Sequence, residues 1–301
     1  MTKKTKFSPI TAGDVKLGFA FLLPGMLFVT VFVFIPIIYS VYMSLYEWTL
    51  FDLGRDRTFV AFDNFTRAFS DRLFSNAVGN TLRVVFFCVI IEMILGFLIS
   101  ICLWNIKRSL KVIHTIILLP MITAPVVVAL IWRFIFDPQF GILNYMLRNA
   151  FGITGLAWLG DPNLSLPSIM VVEIWQMTAF VVLVLYAGLT VVPMDSVEAA
   201  LIDGASYWQT IRHIIIPFLM PLALLVMMIR TMDVLRIFDT VFVLTRGGPG
   251  SSTEVISSYI YRAGFQNFEM GYALALSLIT LVGILIISMG YVKAMYRKDG
   301  G

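Results

Sequence analysis

Charge is what this chain has least of. Asp, Glu, Lys and Arg make up 13% of its 301 residues, about half the ~25% of an ordinary globular chain, and this excludes a soluble domain. Histidine is reduced to His114 and His213 and cysteine to Cys88 and Cys102, so a metal cluster has no ligands to start from. The two cysteines share one apolar run about four helical turns apart, beyond disulfide reach. No G-x-x-x-x-G-K-[ST] occurs, which removes the usual phosphate-cradling loop. Gly247-Gly248-Pro249-Gly250 is rich in glycine but lacks the lysine, and reads as a turn. Basic residues stand at the ends of apolar runs rather than among aromatics on one face, which argues against nucleic-acid binding.

What is present is hydrocarbon: 59% of residues are hydrophobic and mean hydropathy is +0.90. The pattern predicts an all-α polytopic membrane protein with six spans, near 17–46, 81–104, 112–132, 174–194, 217–240 and 270–292. The first run exceeds a signal-peptide core and reads as a retained span. Six spans place both termini on one side. All eight lysines then fall in the tail 1–16, the loop holding Lys107 and Lys111, or the tail 293–301, and the positive-inside rule makes that side cytoplasmic. Segments 47–80, 133–173 and 241–269 face outward. Treating the fifth run as a buried or re-entrant helix would leave five spans and put the C-terminal basic cluster outside.

One polar island, Glu198 to Pro217, lies between the fourth and fifth spans, on the cytoplasmic side. Asp195 and Glu198 have the spacing of a capping box. Val197, Leu201, Gly204, Trp208, Ile211 and Ile215 recur at steps of four and three, an apolar stripe. Gly204 in mid-helix would cost about 1 kcal/mol against alanine, so helix, turn, helix is expected. Such a segment either lies on lipid headgroups or docks a soluble partner.

The spacing Glu198-Ala199-Ala200, Gly204, Ile214-x-Ile216-Pro217 resembles the EAA loop of permease subunits of binding-protein-dependent ABC importers, with Ile216 where that family usually has leucine. The resemblance spans nearly the whole chain and is nearest the carbohydrate-uptake branch, of maltose and glycerol-phosphate type. Trp158-Leu159-Gly160-Asp161-Pro162, Ile174-Trp175-Gln176, Leu244 to Pro249, and Tyr259 to Ala273 share in it. It implies the type I importer permease fold, with 195–216 as a coupling loop. Glu198, Ala199, Ala200, Asp203, Gly204, Ile214 and Pro217 would then contact an ATPase subunit. It also implies a second homologous permease, an ATPase dimer holding ATP and Mg²⁺, an extracytoplasmic solute-binding protein and a carbohydrate substrate in a bacterial inner membrane. The chain itself would be no enzyme and hold no cofactor or metal.

Charges inside a bilayer face protein or water, because lipid exposure costs at least about 2.5–3.5 kcal/mol each. Glu173, Gln176 and Phe180 share one face of the fourth span, and Arg230 and Asp233 one face of the fifth. In the resembled family these helices line the substrate path, which makes these five residues the path candidates. Arg230 with Asp233, and Arg236 with Asp239, equally suit intrahelical or subunit-interface ion pairs. An arginine in the path would suit a sugar carrying an anionic group. Glu92, alone in the second span, is either a proton-bearing neutral acid or an interface partner for an arginine. The rival readings are an importer for a non-sugar solute, an intramembrane enzyme, for which no catalytic pair is spaced, and a secondary transporter, for which no internal repeat is seen.

Overall fold

The computed structural model describes residues 12–49, 51, 57–106 and 110–296. The expected tails beyond these limits, with Lys3, Lys4, Lys6 and Lys298, and the loop residues Lys107 and Arg108, lie outside the described residues.

The chain opens with α1 (Ala12–Val29), a π-helical turn (Thr30–Phe34) and α2 (Ile35–Ser44), which together give an apolar span from Phe19 to Ser44. A two-stranded hairpin, β1 (Tyr46–Glu47) with β2 (Thr58–Phe59), and α3 (Asp63–Ser70) lead to α4 (Arg72–Asn105). At about 1.5 Å per residue α4 is ~51 Å long, more than the ~30 Å of a bilayer core. It starts nine residues before the expected span because the Asp71 carboxylate accepts the amides of Leu73 and Phe74 and caps it.

The third expected span is broken. It consists of α5 (Leu110–Ile122) and α6 (Pro125–Ile135), bent by 94°. Pro125 has no N–H and forces Ala124 to φ −58°, ψ 134°, out of the helical region. Among the described residues, five helices are long and apolar enough to cross a membrane, or six when the bent pair counts as one span.

After α7 (Ile142–Phe151), α8 (Pro162–Thr190) begins at Asp161-Pro162, with the aspartate as cap and the proline in the first turn. It lies along α4 in the middle of the fold. Gly96 of α4 permits the close approach: a Cβ there would stand 2.4 Å from Cγ1 of Val181. The main core joins Val84, Cys88 and Val89 of α4 with Val128 and Ala129 of α6, Ile169 and Val172 of α8, and Val234.

The chain then forms α9 (Met194–Ile202), α10 (Tyr207–Thr210), a π-helical turn (Ile211–Ile215) and α11 (Ile216–Leu235), the last three running as one helix. Two short helices, α12 (Asp239–Leu244) and α13 (Ile256–Tyr261), a π-helical turn (Arg262–Gln266) and α14 (Met270–Tyr296) complete the chain.

Candidate functional site

The helix-turn-helix expected at 195–216 is present. Gly204 has φ +81°, and no atom lies within 4 Å of where its Cβ would be. Backbone conformation rather than space therefore selects glycine there. The capping box is not at Asp195. Pro193, extended at ψ 108°, is the N-cap of α9, so Asp195 stands at the second helical position and no side chain caps that end. The box is instead on the second helix, where the Ser206 amide donates to Gln209 Oε1 at 2.7 Å and the Gln209 amide to Ser206 Oγ at 3.4 Å.

The apolar stripe divides in two. Val197, Ile211 and Ile215 are buried against Ile101, Leu189, Val192 and Leu219, whereas Leu201 and Trp208 are exposed, at 57% and 71%, as is Ile202 beside the stripe, at 85%. Glu198, Ala199, Asp203, Gly204 and Pro217 are exposed, and Ala200 and Ile214 are half-buried. Ala200 and Ile214 line a shallow cavity of about 240 Å³ together with Ala205, Gln209, Thr210 and His213. An exposed apolar face beside a small concavity has the chemistry of a protein docking site.

The charged candidates converge deep in the bundle. Arg230, 2% exposed, donates from Nε to Glu92 Oε2 at 2.8 Å and from Nη2 to Glu92 Oε1 at 3.1 Å. Nη2 also donates to Glu173 Oε1 at 2.7 Å, and Nη1 lies 3.6 Å from Asp233 Oδ2. One guanidinium thus joins α4, α8 and α11. Glu92 has its arginine, but not across a subunit interface as expected: α11 packs on α4 and brings Arg230 of the same chain to it. Arg236 turns back to Asp233 at 3.2 Å rather than forward to Asp239, because α11 ends at Leu235 and Asp239 opens a separate helix.

Of the other path candidates, Gln176 is buried and its amide donates to the Thr123 carbonyl at 3.0 Å. That supplies a partner for backbone at the break between α5 and α6, which a bilayer would otherwise leave unsatisfied. Phe180 is half-buried against Val181, Leu185 and Val226, and the Asp233 side chain is 47% exposed.

A second polar cluster, absent from the sequence reading, closes the opposite end of the bundle. Glu254, buried, accepts from Ser258 Oγ at 2.6 Å and pairs with Arg262 at 2.8 Å. Asn80 donates to the Glu254 carbonyl, and Thr81 Oγ1 accepts the Ile256 amide. Asp71 accepts hydrogen bonds from the hydroxyls of Tyr259 and Tyr272. Burial would raise its pKa, but those phenols and the amides of Leu73 and Phe74 outweigh it and hold the carboxyl below its ordinary value. Burial first, then the neighbouring carboxylate, pushes Tyr259 up to about 12. The i,i+4 spacing of Glu254 and Ser258 and the Asp71 cap were the available sequence signals.

A family model described as the binding-protein-dependent transport system inner membrane component matches residues 92–297. The chain belongs to this family. The permease is 32% identical over 99% of both chains to the trehalose/maltose transport system permease protein MalF of Thermococcus litoralis. It is 27% identical to the sulfoquinovosyl glycerol transport system permease protein SmoG of Agrobacterium fabrum, over 95% of this chain and 92% of that one. Among solved structures, a chain of a bacterial alginate ABC transporter, in complex with an alginate pentasaccharide-bound periplasmic protein, matches the permease with TM-score 0.83. The two are 25% identical over 97% and 99% of their lengths.

Proposed function

We propose that the permease is one of two homologous, non-identical membrane subunits of an ATP-driven importer for a sugar or sugar derivative. An extracytoplasmic solute-binding protein delivers the substrate. Two ATPase subunits, which hold ATP and Mg²⁺, engage the loop 195–216 and drive alternating access. The chain itself contributes no cofactor or catalytic group. Lysine placement supports a cytoplasmic side for residues 1–16, the loop of Lys107 and Lys111, residues 195–216 and residues 293–301. Relatives whose names specify trehalose and maltose, or sulfoquinovosyl glycerol, support the substrate class.

One observation carries the coupling role. The exposed ring of Trp208 and the buried Arg230 stand on one continuous helix, Tyr207–Leu235. A displacement of the docking face therefore moves the guanidinium that ties α4 to α8. Glu198, Ala199, Ala200, Asp203, Gly204, Ile214 and Pro217 make up the coupling surface. In the substrate path, Asp233 and Phe180 are the open members, while Glu173, Gln176 and Arg230 shape the path from behind.

Purification of the tagged permease from native membranes in mild detergent, with mass spectrometry of co-purifying proteins, tests this reading. An ATPase and a second permease are expected, and Glu198→Lys or Gly204→Asp should release the ATPase while keeping the second permease. Recovery of neither partner with the unaltered chain refutes the proposal.

A further inference from the structure

An arginine at the centre of a lipid-facing helix costs at least about 2.5–3.5 kcal/mol, and α4 carries an uncovered one. Arg83 is exposed. It stands in a stripe of exposed apolar side chains, with Leu82, Phe86 and Ile90 at successive turns and Phe87 beside them. Among the described residues its guanidinium donates only to Asn80 Oδ1, one turn back on the same helix, at 3.4 Å. The described carboxylates of the bundle interior are already engaged: Glu92 and Glu173 by Arg230, Asp233 by Arg236 and Glu254 by Arg262. A counter-charge for Arg83 has to come from another molecule.

Depth removes the lipid headgroups as its source. α14 accompanies α4 across the membrane: Val78 and Leu82 line one cavity with Ile279, Gly283 and Ile287, and Phe86 and Ile90 line another with Tyr291. The uncharged run of α14 extends from Met270 to Val292. Arg83 is therefore level with the middle of that run, about 15 Å from either surface of a ~30 Å hydrocarbon core. The second cavity, about 600 Å³, opens beside Arg83 between α4, α11 and α14. Its other walls are hydrocarbon and aromatic except for Thr231 and Tyr291, whose hydroxyls bond to each other at 2.9 Å. A path for a solute rich in hydroxyls needs polar walls. An apolar groove with a single guanidinium at its edge suits an apolar helix that carries one acid.

We infer that this groove seats a transmembrane helix of the second permease, and that a carboxylate on that helix pairs with Arg83 at mid-membrane. Apolar packing alone gives little drive to helix association in lipid, so a polar contact is what fixes partner and register. The guanidinium offers the carboxylate two parallel hydrogen bonds, and pairing takes both charges away from lipid. Phe86 and Phe87, edge to face at 5.3 Å, would pack on the seated helix below the pair. The inference rests on the reading of the chain as one of two membrane subunits, and it names the face and the chemistry by which they meet.

The test uses the complete transporter in its native membrane, with the photoreactive residue p-benzoylphenylalanine in place of Phe86 and, separately, of Phe87. Irradiation should join each to the second permease, and mass spectrometry of the joined peptides should place the contact on a membrane span that carries Asp or Glu. Adducts with lipid alone, or with any protein other than the second permease, overturn the seat. This measurement leaves Arg83 unaltered, so it does not depend on how a charge variant folds. For the ion pair, Arg83→Glu should cut recovery of the second permease with the tagged chain about tenfold or more, while Arg83→Lys keeps most of it. Changing the acid of the joined span to arginine should restore recovery with Arg83→Glu. Unchanged recovery with both Arg83→Glu and Arg83→Leu, or no restoration by the reversed pair, overturns the carboxylate contact. If the unaltered chain brings down no second permease, the reading of the chain as one of two membrane subunits itself is refuted.

Discussion

The two ends of α11 are built by different means. At the Gly204 end, hydrogen bonds are short-range: Ala205 N–H to the Ala200 carbonyl, Asp203 N–H to that of Ala199, and the Ser206–Gln209 box. One bond from Asn105 to the Tyr207 hydroxyl reaches across from α4. At the other end, bonds join residues more than 170 apart in sequence: Asn80 to the Glu254 carbonyl, Thr81 to the Ile256 amide, and Asp71 to Tyr259 and Tyr272. One end is a locally formed device with an exposed apolar face. The other is a cap closed by the rest of the chain. A part that another subunit must grip has to hold its shape by itself while leaving surface free. The part that resists the resulting force is best tied across helices.

Between them stands Arg230, where the comparison breaks most severely. Arg230→Gln leaves Glu92 and Glu173 buried without a cation, and removing one member of a buried pair costs about 3–5 kcal/mol. The purified assembly should unfold at a markedly lower temperature. Replacing the ionic set by apolar residues, Arg230→Met with Glu92→Leu and Glu173→Leu, should recover much of that loss, since desolvation of the charges is removed with them. A triple variant no better than Arg230→Gln would contradict the view of this arginine as a helix clasp.

Asp71 comes next. Asp71→Asn keeps an oxygen to cap the helix but sets an N–H group against the Tyr259 and Tyr272 hydroxyls, a loss of about 1–2 kcal/mol, and its effect depends on pH. Because the folded carboxyl titrates below its unfolded value of about 3.9, its stabilisation is complete above that value. It is lost as pH falls through the lower folded pKa. Wild type should therefore lose stability more steeply than Asp71→Asn on acidification below about pH 4, as read from thermal unfolding at a series of pH values. Parallel curves would show that the ionised carboxylate of Asp71 does not stabilise this end.

The difference between the ends also explains what was legible in the sequence. The Gly204 turn is local, and spacing alone points to it, whereas α8 starts at Pro162, twelve residues before the expected span 174–194, because the Asp161 cap and Pro162 open the helix ahead of the apolar run. The all-α class and the five or six spans follow from apolar run length. The Arg230–Glu92 pair joins residues 138 apart, and no periodicity within a helix links them; only the folded α4–α11 contact does. The break in the third span was missed for another reason: hydropathy stays high through Thr123 and Ala124, and the signal was the backbone restriction imposed by Pro125. The cap at Asp71 lay hidden because the apolar run begins ten residues later, at Thr81.

The coupling end should respond more mildly, and in a way specific to its local construction. Gly204→Ala meets no atom, so its cost comes only from holding an L-residue at φ +81°, about 1 kcal/mol. Gly204→Asn, better tolerated in the left-handed region, should lose less. If both variants lose equally, the cost arises from something other than backbone conformation.

The smallest effect sharpens the comparison furthest. Ser206→Ala removes the side-chain acceptor for the Gln209 amide and frees the reciprocal bond, a loss of about 0.5–1 kcal/mol. No residue of α4, α8 or α14 takes part in that box, so the melting of the far cap and the Arg230 clasp should not change. Hydrogen exchange should show faster amide exchange confined to residues 206–210, with protection at Ile256 and Tyr259 untouched. Spread of the effect to the far end would show that the two ends share one cooperative unit, and the distinction between a locally formed coupling device and a chain-tied cap would fail.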